Sequence, residues 1–301
     1  MKVHEEYIDT FSSLGDFIDQ FISGVRLEDY ALEENNEPHY DSFGRVIKEV
    51  SNYNPWFIEE FVLEALRGIR LMLKKDILEK WLAEYPDLQI SNAKAKNIGL
   101  VMAGNIPMVG FHDFLCVLLS GNRVIGKPSS KDEHLMKAIA EVIISIQPSL
   151  ADRITFVEDR LGDIDSIIAT GSDNTSRYFN YYFRNIPKII RKNRNSVALL
   201  TGSETDDQIA ELGKDIFTFF GLGCRNVTKL YLPEDFDLTR IMWIYESYGH
   251  LIDHHKYANN IDYHRTIYLM NQSPFLDNGA LLLKEDKGLS SPVGVVYFEK
   301  Y

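Results

Sequence analysis

The sequence predicts an α/β protein with a mainly parallel sheet. From about residue 97 onward, short apolar runs alternate with segments whose apolar residues recur at helical spacing, which is typical of strands joined by helices. The 301 residues are enough for one large domain or two ordinary ones. A hydrophobic content of 45% and a charged content of 25% are typical of a soluble globular chain.

Helices are predicted to open the chain. The first covers residues 7–22, and the polar residues 33–38 are predicted to form a surface loop. A second helix is predicted to begin at Asn54-Pro55, because a capping residue there precedes a proline at the first helical position, and to end before Pro86. Its apolar positions recur at three to four residues: Ile58, Val62, Leu66, Ile69 and Leu73.

A strand–helix alternation follows. The predicted strands are 98–102, 122–125, 154–157 and 166–169, and the predicted helices between and after them are 108–119, 131–146 and 175–183. In parallel sheets of this kind, ligands bind at the carboxyl ends of the strands. The loops that follow the strands are therefore where functional residues are expected.

A second alternating region closes the chain. Its predicted elements are a strand at 197–200, a helix at 206–220, a strand at 227–232, a helix at 253–271, and strands at 280–283 and 293–298. A domain boundary is predicted near residues 194–203. We divide the chain into residues 1–198 and 199–301.

Charge and cysteine content narrow the class of protein. The net charge of −12, from 44 acidic and 32 basic residues, argues against a nucleic-acid-binding surface. The two cysteines imply no disulfide framework, which favours a cytoplasmic protein. No apolar run approaches membrane-spanning length, and the N-terminus lacks the apolar core of a signal peptide. The spacing of His254, His255 and His264 matches no zinc pattern, so no metal site is predicted.

Cys224 is the residue with the clearest chemical potential. Gly221 and Gly223 precede it and let the main chain turn sharply, and Arg225 follows it. A cysteine on such a turn is either a thiolate nucleophile or a buried free cysteine. The local sequence leaves both interpretations open.

Two strand-end loops carry polar residues. In the run 103–107, the Asn105 amide could stabilise an oxyanion, or it could belong to an ordinary asparagine turn. In the run 126–130, Lys127 and two serine hydroxyls suit a phosphate or a ribose, or the serine caps the helix that follows.

A third loop, Thr170-Gly171-Ser172-Asp173, follows the fourth predicted strand. A Gly-Ser turn leading into a helix offers backbone N–H groups to an anion, although a simple capped helix start fits equally well. The loop is not a complete dinucleotide-binding fingerprint.

Taken in order, the four motifs resemble the aldehyde dehydrogenase superfamily. The closer resemblance, over residues 95–301, is to its acyl-CoA reductase branch, the bacterial long-chain fatty acyl reductases related to bioluminescence systems. This resemblance implies a Rossmann-type cofactor domain and a second α/β catalytic domain. Residues 1–198 would then hold the N-terminal helices and the dinucleotide-binding domain, and residues 199–301 the catalytic cysteine.

The resemblance also implies residue roles. Cys224 would be the nucleophile, and Asn105 would help to form the oxyanion hole. The positions implied to contact the cofactor are Gly104, Lys127, Ser129, Ser130, Gly171 and Ser172. Ser130 stands where many NAD-preferring relatives have a glutamate, so the resemblance favours NADP(H).

Two departures from the relatives bear on the reaction. Oxidising relatives have a water-activating glutamate where residues 191–198 have no acidic residue, and this favours thioester reduction over aldehyde oxidation. Relatives also continue beyond the position of Tyr301 and have a glutamate near the place of Gly288, so a shortened or divergent chain is expected.

The sequence therefore predicts NADPH-dependent reduction of an acyl-CoA to an aldehyde through an acyl-cysteine intermediate. The alternatives are an NAD(P)-dependent aldehyde dehydrogenase and a non-catalytic homologue of the fold. The expected partner is the acyl-CoA substrate, with no nucleic acid and no membrane span, and a homo-oligomer is allowed.

Three candidates are weaker, and two of them keep two interpretations. A basic cluster is either a phosphate contact or a solvated edge: Lys188, Arg191, Lys192 and Arg194. Cys116 is expected to pack in the core. Residues 181–183 line an acyl tunnel or, by default, pack as a buried part of a helix.

Overall fold

The computed structural model describes residues 3–26, 33–86, 94–171, 173–192, 194–243 and 245–301. The chain divides into two compact units, Met1–Lys192 and Asn193–Tyr301. Among the described residues, no helix combines the length and apolarity that crossing a membrane requires. The roles assigned above to residues 1–198 and 199–301 stay predictions.

Four helices open the first unit: α1 Val3–Ser23, α2 Glu33–Tyr53, α3 Glu59–Met72 and α4 Lys75–Ala83. The predicted surface loop at residues 33–38 was wrong, because that polar run is the start of α2. Later turns of α2 bury Phe43, Ile47 and Val50 at helical spacing, and this burial stabilises the helix through packing. The polar run carries no apolar periodicity of its own.

The single helix predicted from Asn54 to Pro86 is two helices. Asn54 forms a turn before α3, in which its side-chain oxygen accepts from the Trp56 N–H at 3.2 Å and its main-chain oxygen accepts from the Phe57 N–H at 2.8 Å. The chain breaks again at Lys74, whose extended backbone (φ −61°, ψ 132°) precedes α4. The fully buried Leu73 lies at this break and anchors it to the core.

The first sheet has five parallel strands in the order β3-β2-β1-β4-β5. Their bounds are β1 Asn97–Val101, β2 Arg123–Lys127, β3 Ile154–Phe156, β4 Ser166–Thr170 and β5 Lys188–Arg191. The helices between them are α5 Phe111–Leu119, α6 Glu133–Ile146 and α7 Asp173–Tyr182, with a short 3₁₀ segment at Pro148–Arg153. The predicted α/β architecture with a parallel sheet is confirmed.

The order of the strands fixes where a ligand can bind in this unit. From β1 the chain moves outward to β2 and β3, then returns to place β4 on the other side of β1. A crevice opens at the carboxyl ends of the strands where such a reversal occurs. The loops after β1 and β4 flank this reversal, and the loop after β2 lies on the far side of the loop after β1. These are the three loops that carry the predicted motifs.

The second sheet has the order β6-β7-β10-β9-β8, parallel except for the antiparallel pair β8–β9. Its strands are β6 Ser196–Leu199, β7 Val227–Leu232, β8 Leu276–Asp277, β9 Leu282–Glu285 and β10 Val295–Lys300. Its helices are α8 Asp206–Phe217, α9 Thr239–Met242, α10 Tyr245–Tyr248 and α11 His255–Met270, with 3₁₀ segments at Thr218–Gly221 and Gly249–Asp253. Strand β6, predicted at residues 197–200, lies mostly before the predicted division at residue 199 but pairs in this second sheet.

Candidate active site

In the second unit, helix α8 leads the chain into the turn that carries Cys224. The helix begins with a capping box, in which the Thr205 hydroxyl accepts from the Gln208 N–H and the Gln208 side chain accepts from the Thr205 N–H. Cys224 is exposed, which excludes the buried free cysteine that the sequence left open. Its carbonyl accepts from the Ser196 hydroxyl at 3.3 Å.

The main chain before Cys224 is strained. Phe219, Phe220 and Gly221 have φ values of 56°, 55° and 73°, so three consecutive residues lie in the left-handed region. Glycine adopts this conformation at little cost, but a phenylalanine does not, and such strain persists only where the surroundings enforce it.

Aromatic packing is one of the constraints that hold this turn. The Phe220 side chain is 1% exposed. Its ring lies 4.5 Å from the ring of His254 and 5.4 Å from that of Tyr257, measured between centroids. The strained residue is therefore fixed in the core of the unit, four residues before Cys224.

Asn226 is the second constraint, and the sequence analysis missed its role. The side chain is 6% exposed. Its amide nitrogen donates to the main-chain oxygens of Asp215 and Thr218, both at 2.9 Å, and its amide oxygen accepts from the Gly223 N–H at 2.7 Å. One side chain thus ties the turn on both sides of Cys224 to the end of α8. The sequence shows only that an asparagine lies two residues after the cysteine, and this spacing by itself does not indicate which main-chain groups the side chain binds.

In the first unit, the loop after β1 packs closely against the loop after β2. A Cβ atom on Gly104 would lie 2.4 Å from the Ser129 hydroxyl oxygen and 3.2 Å from the Lys131 Cβ. Only glycine fits at this position without displacing the neighbouring loop. Asn105, the next residue, is exposed.

The loop after β2 borders a cavity of about 610 Å³. The cavity is lined by Lys127, Ser129 and Ser130, three of the predicted cofactor contacts. The Lys127 ammonium donates to the main-chain oxygen of Asp159 at 2.7 Å, which fixes it at the wall of the cavity.

A second charged pair lines the same cavity and was not singled out from the sequence. Glu133 and Lys137 lie one turn apart on α6, and the Lys137 ammonium is 2.7 Å from a Glu133 carboxylate oxygen. The hydrogen bond from Lys137 lowers the pKa of Glu133. Glu133 therefore places a carboxylate in the cavity that Ser130 also lines.

The loop after β4 also requires a glycine. A Cβ atom on Gly171 would lie 3.1 Å from the Thr175 side chain and 3.2 Å from the Phe179 ring. The Gly171 N–H donates to the Arg191 main-chain oxygen at 3.2 Å. Ser172, predicted to contact the cofactor, lies outside the described residues.

The described residues of the basic cluster and of the histidine group make contacts that stabilise the fold. Lys188 and Arg191 belong to the edge strand β5, where the Lys188 ammonium donates to the Phe183 main-chain oxygen at 3.3 Å and Arg191 forms an ion pair with Asp113. His254 accepts from the Tyr257 N–H and so caps α11. Within the described ranges, no group of three or more His, Cys, Asp or Glu side chains is arranged to hold a metal ion.

Two predictions of burial were wrong. Tyr181 and Tyr182 are 66% and 71% exposed, because α7 turns this face to solvent, so they do not pack as a buried helix face. Cys116 is half-buried, and its sulfur lies 3.8 Å from Nδ1 of His112, one turn earlier on α5. A helix face that alternates apolar and polar neighbours leaves Cys116 at the edge of the core.

Comparison with known proteins agrees with this architecture. The family model of acyl-CoA reductase (LuxC) matches residues 40–239. No curated protein sequence matches significantly. Among solved structures, the putative aldehyde dehydrogenase PutA from Anabaena variabilis is 13% identical with a TM-score of 0.65, covering 99% of this chain and 73% of that one.

Two further structures show the same fold. Aldehyde dehydrogenase KauB from Pseudomonas aeruginosa is 11% identical with a TM-score of 0.61, covering 99% of this chain and 72% of that one. The Mycobacterium tuberculosis aldehyde dehydrogenase complexed with NAD+ is 13% identical with a TM-score of 0.59, covering 97% and 68%. Fold and family together support an oxidoreductase that acts on acyl or aldehyde groups. The chain belongs to the acyl-CoA reductase (LuxC) family and has the aldehyde dehydrogenase fold.

Proposed function

We propose that the protein reduces an acyl-CoA thioester to an aldehyde with NADPH, through an acyl thioester on Cys224. The observation that carries the proposal is the exposed Cys224 on a strained turn that Asn226 and Phe220 hold in place. Strain maintained at an exposed nucleophilic residue is typical of a functional site.

The Cys224 sulfur, as a thiolate, attacks the thioester carbonyl of the substrate. The negative charge that develops on the carbonyl oxygen is stabilised by the Cys224 main-chain N–H, and Asn105 keeps the oxyanion role that the family resemblance implies for it. The C–S bond to coenzyme A breaks, coenzyme A departs as a thiol after taking up a proton, and the acyl group stays on Cys224. A thiolate suits this step because it is a strong nucleophile at neutral pH.

NADPH, when bound, would supply the hydride that reduces the acyl carbon on Cys224 to the hemithioacetal level, and it would leave as NADP+. Collapse of the hemithioacetal expels the Cys224 thiolate and releases the aldehyde, so the enzyme returns to its starting state. The same oxyanion donors serve both steps, because negative charge develops on the same oxygen each time. Residues 191–198 contain no acidic residue, so the general base that oxidising relatives use to activate water is missing from this segment.

The first unit has a donor set that fits a dinucleotide. Gly104 and Gly171 keep two strand-end loops free of side-chain atoms, and Lys127 and Ser130 line the cavity after β2. We infer a preference for NADPH because position 130 lacks a carboxylate and two lysines, Lys127 and Lys137, border the cavity. The Lys137 ammonium would pair with the 2′-phosphate in place of Glu133.

Steady-state assays test the proposal. Purified protein is mixed with NADPH and either octanoyl-CoA or palmitoyl-CoA, and aldehyde and free coenzyme A are both quantified. The proposal requires equal amounts of the two products and their loss in Cys224→Ala, with activity retained in the matched control Cys116→Ala. Acid formed from free aldehyde and NAD(P)+, with no reduction of either thioester, would identify an aldehyde dehydrogenase instead. No turnover in either direction would favour a non-catalytic homologue.

A further inference from the structure

Arg225 follows the proposed nucleophile, and the proposed reaction gives it no role. Its side chain is exposed, and its guanidinium forms no hydrogen bond, ion pair or ring contact with any residue in the part of the chain that the structure describes. Two other arginines of this unit are paired: Arg240 lies 3.0 Å from an Asp206 carboxylate oxygen, and Arg265 lies 2.5 Å from one of Asp277. The Arg225 guanidinium is therefore available to a ligand.

The turn that carries Cys224 presents two side chains at its tip. The Asn226 N–H donates to the Gly223 main-chain oxygen at 3.1 Å and closes a four-residue β-turn. Cys224 and Arg225 occupy the two central positions of this turn, and both are exposed. The nucleophile and an unpaired guanidinium are thus consecutive residues of one tight turn.

Hydrogen bonds hold the main chain on both sides of this tip. The Ser196 hydroxyl donates to the Cys224 main-chain oxygen at 3.3 Å, and the Ser196 N–H donates to the Asn226 main-chain oxygen at 3.3 Å. The Asn226 side-chain amide ties the turn to the end of α8. Because the main chain is fixed, the position of the Arg225 guanidinium relative to the Cys224 sulfur depends only on rotations of these two side chains.

An acyl-CoA has a hydrogen-bond acceptor close to its reacting carbonyl. The sulfur of coenzyme A is joined through two methylene groups to an amide, whose carbonyl oxygen is a strong acceptor. A guanidinium presents several N–H donors in one plane, and its positive charge strengthens the hydrogen bonds that they form. The phosphates of coenzyme A lie at the far end of the pantetheine arm, beyond the reach of a side chain next to the nucleophile.

We propose that Arg225 recognises the leaving group of the substrate: its guanidinium donates to the pantetheine amide carbonyl nearest to the thioester while Cys224 attacks. This inference rests on the proposed function and adds a specificity-determining residue to it. The hydrogen bond selects thioesters of coenzyme A over thioesters of simple alkyl thiols, which lack the amide. Arg225 takes no part in making or breaking bonds, and its role requires no residue of the first unit.

Three octanoyl thioesters test the proposal. Octanoyl-CoA has the amide and the phosphates, S-octanoyl-N-acetylcysteamine has the amide alone, and S-butyl octanethioate has neither. The rate of acylation of Cys224 is measured with each thioester, without NADPH, in the wild type and in Arg225→Ala. The substitution should slow acylation by the first two thioesters about 10-fold, the lower end of what a hydrogen bond to a charged group contributes. It should leave the rate with S-butyl octanethioate unchanged, because that thioester offers the guanidinium no amide acceptor.

Two variants and one reagent serve as controls. Arg225→Lys keeps a cationic donor at the tip of the turn and should recover part of the lost rate with both amide-bearing thioesters. Lys214→Ala removes an exposed cation of the same unit that pairs with Glu211 at 2.7 Å, so it should leave all three rates unchanged. Methyl methanethiosulfonate, which has no amide, should modify Cys224 at the wild-type rate in every variant, because the turn stays intact.

Slowing with octanoyl-CoA alone would mean that Arg225 acts on the phosphates, and equal slowing with all three thioesters would mean that it acts on the sulfur. Either result would overturn the proposal, as would unchanged rates in Arg225→Ala. A wild-type protein in which none of the three thioesters acylates Cys224 would instead overturn the proposed function, and this inference with it. The pattern across the three substrates therefore separates the two failures.

Discussion

Replacing Asn226 with alanine should destabilise the second unit and slow the acylation of Cys224. The substitution removes three side-chain hydrogen bonds, of 2.7, 2.9 and 2.9 Å, that join Gly223, Asp215 and Thr218. At about 0.5–1.5 kcal/mol net for each bond, the expected loss in the free energy of unfolding is roughly 1.5–4.5 kcal/mol. For a unit of this size, each kcal/mol corresponds to about 4–8 °C in Tm.

The slower acylation of Cys224 follows from the loss of the same three hydrogen bonds. Without Asn226, the left-handed backbone at Phe219 and Phe220 loses one of its two constraints, and the turn that carries Cys224 can relax. A displacement of the sulfur by about 1 Å would lower the acylation rate by about 100-fold. Urea unfolding of the full chain measures the first effect, and stopped-flow release of coenzyme A from octanoyl-CoA measures the second.

Two variants serve as comparisons for Asn226→Ala. Asn226→Asp keeps an acceptor for the Gly223 N–H but faces the Asp215 and Thr218 carbonyl oxygens with a carboxylate, so it should be no better than alanine. Asn260→Ala removes a single hydrogen bond, from the side-chain amide to the Lys256 main-chain oxygen, and should change stability by no more than about 0.5 kcal/mol. Wild-type stability and acylation in Asn226→Ala would refute the reasoning.

Two further predictions concern charged side chains of the first unit. Lys137→Ala should lower the ratio of kcat/KM for NADPH to kcat/KM for NADH by about 10- to 100-fold, because it removes a hydrogen bond to a charged group. Glu133→Gln should raise the same ratio. Unchanged ratios in both variants would contradict the pairing of Lys137 with the 2′-phosphate. The interaction of the His112 imidazolium with the Asp113 carboxylate, with a smaller contribution from Cys116, raises the pKa of His112 from 6.5 to about 10. His112 therefore stabilises the fold fully below pH 6.5 and loses this contribution as the pH rises through about 10. The difference in unfolding free energy between the wild type and His112→Gln, measured with urea, should therefore be largest near pH 6 and vanish above about pH 10. It should be small because this side chain is 53% exposed, and a difference that does not change with pH would refute the ion pair.

The parallel sheets were predictable because buried strands leave a strong local signal. The apolar run at β1 and the helical spacing on α6 identify their elements without reference to the rest of the chain. The start of α2 was not predictable in this way, because its polar residues join a helix that is held by the packing of Phe43 and Ile47 further along. Tertiary contacts overrode local pattern there.

Some residues of the candidate site could likewise be predicted from the sequence, and others could not. Cys224, Lys127 and the glycines at strand ends belong to short motifs that can be read directly from the sequence. The role of Asn226 could not be read, because its partners are main-chain groups that only folding brings within reach of its side chain.

The central claim is that Cys224 carries the acyl group during the reaction. Intact-mass spectrometry after mixing the protein with octanoyl-CoA, in the absence of NADPH, should show a gain of one octanoyl group, and peptide mapping should locate it on residue 224. Later addition of NADPH should remove the group as octanal. An unmodified protein, an adduct on Cys116 alone, or an octanoyl group that NADPH does not release as the aldehyde would contradict the account.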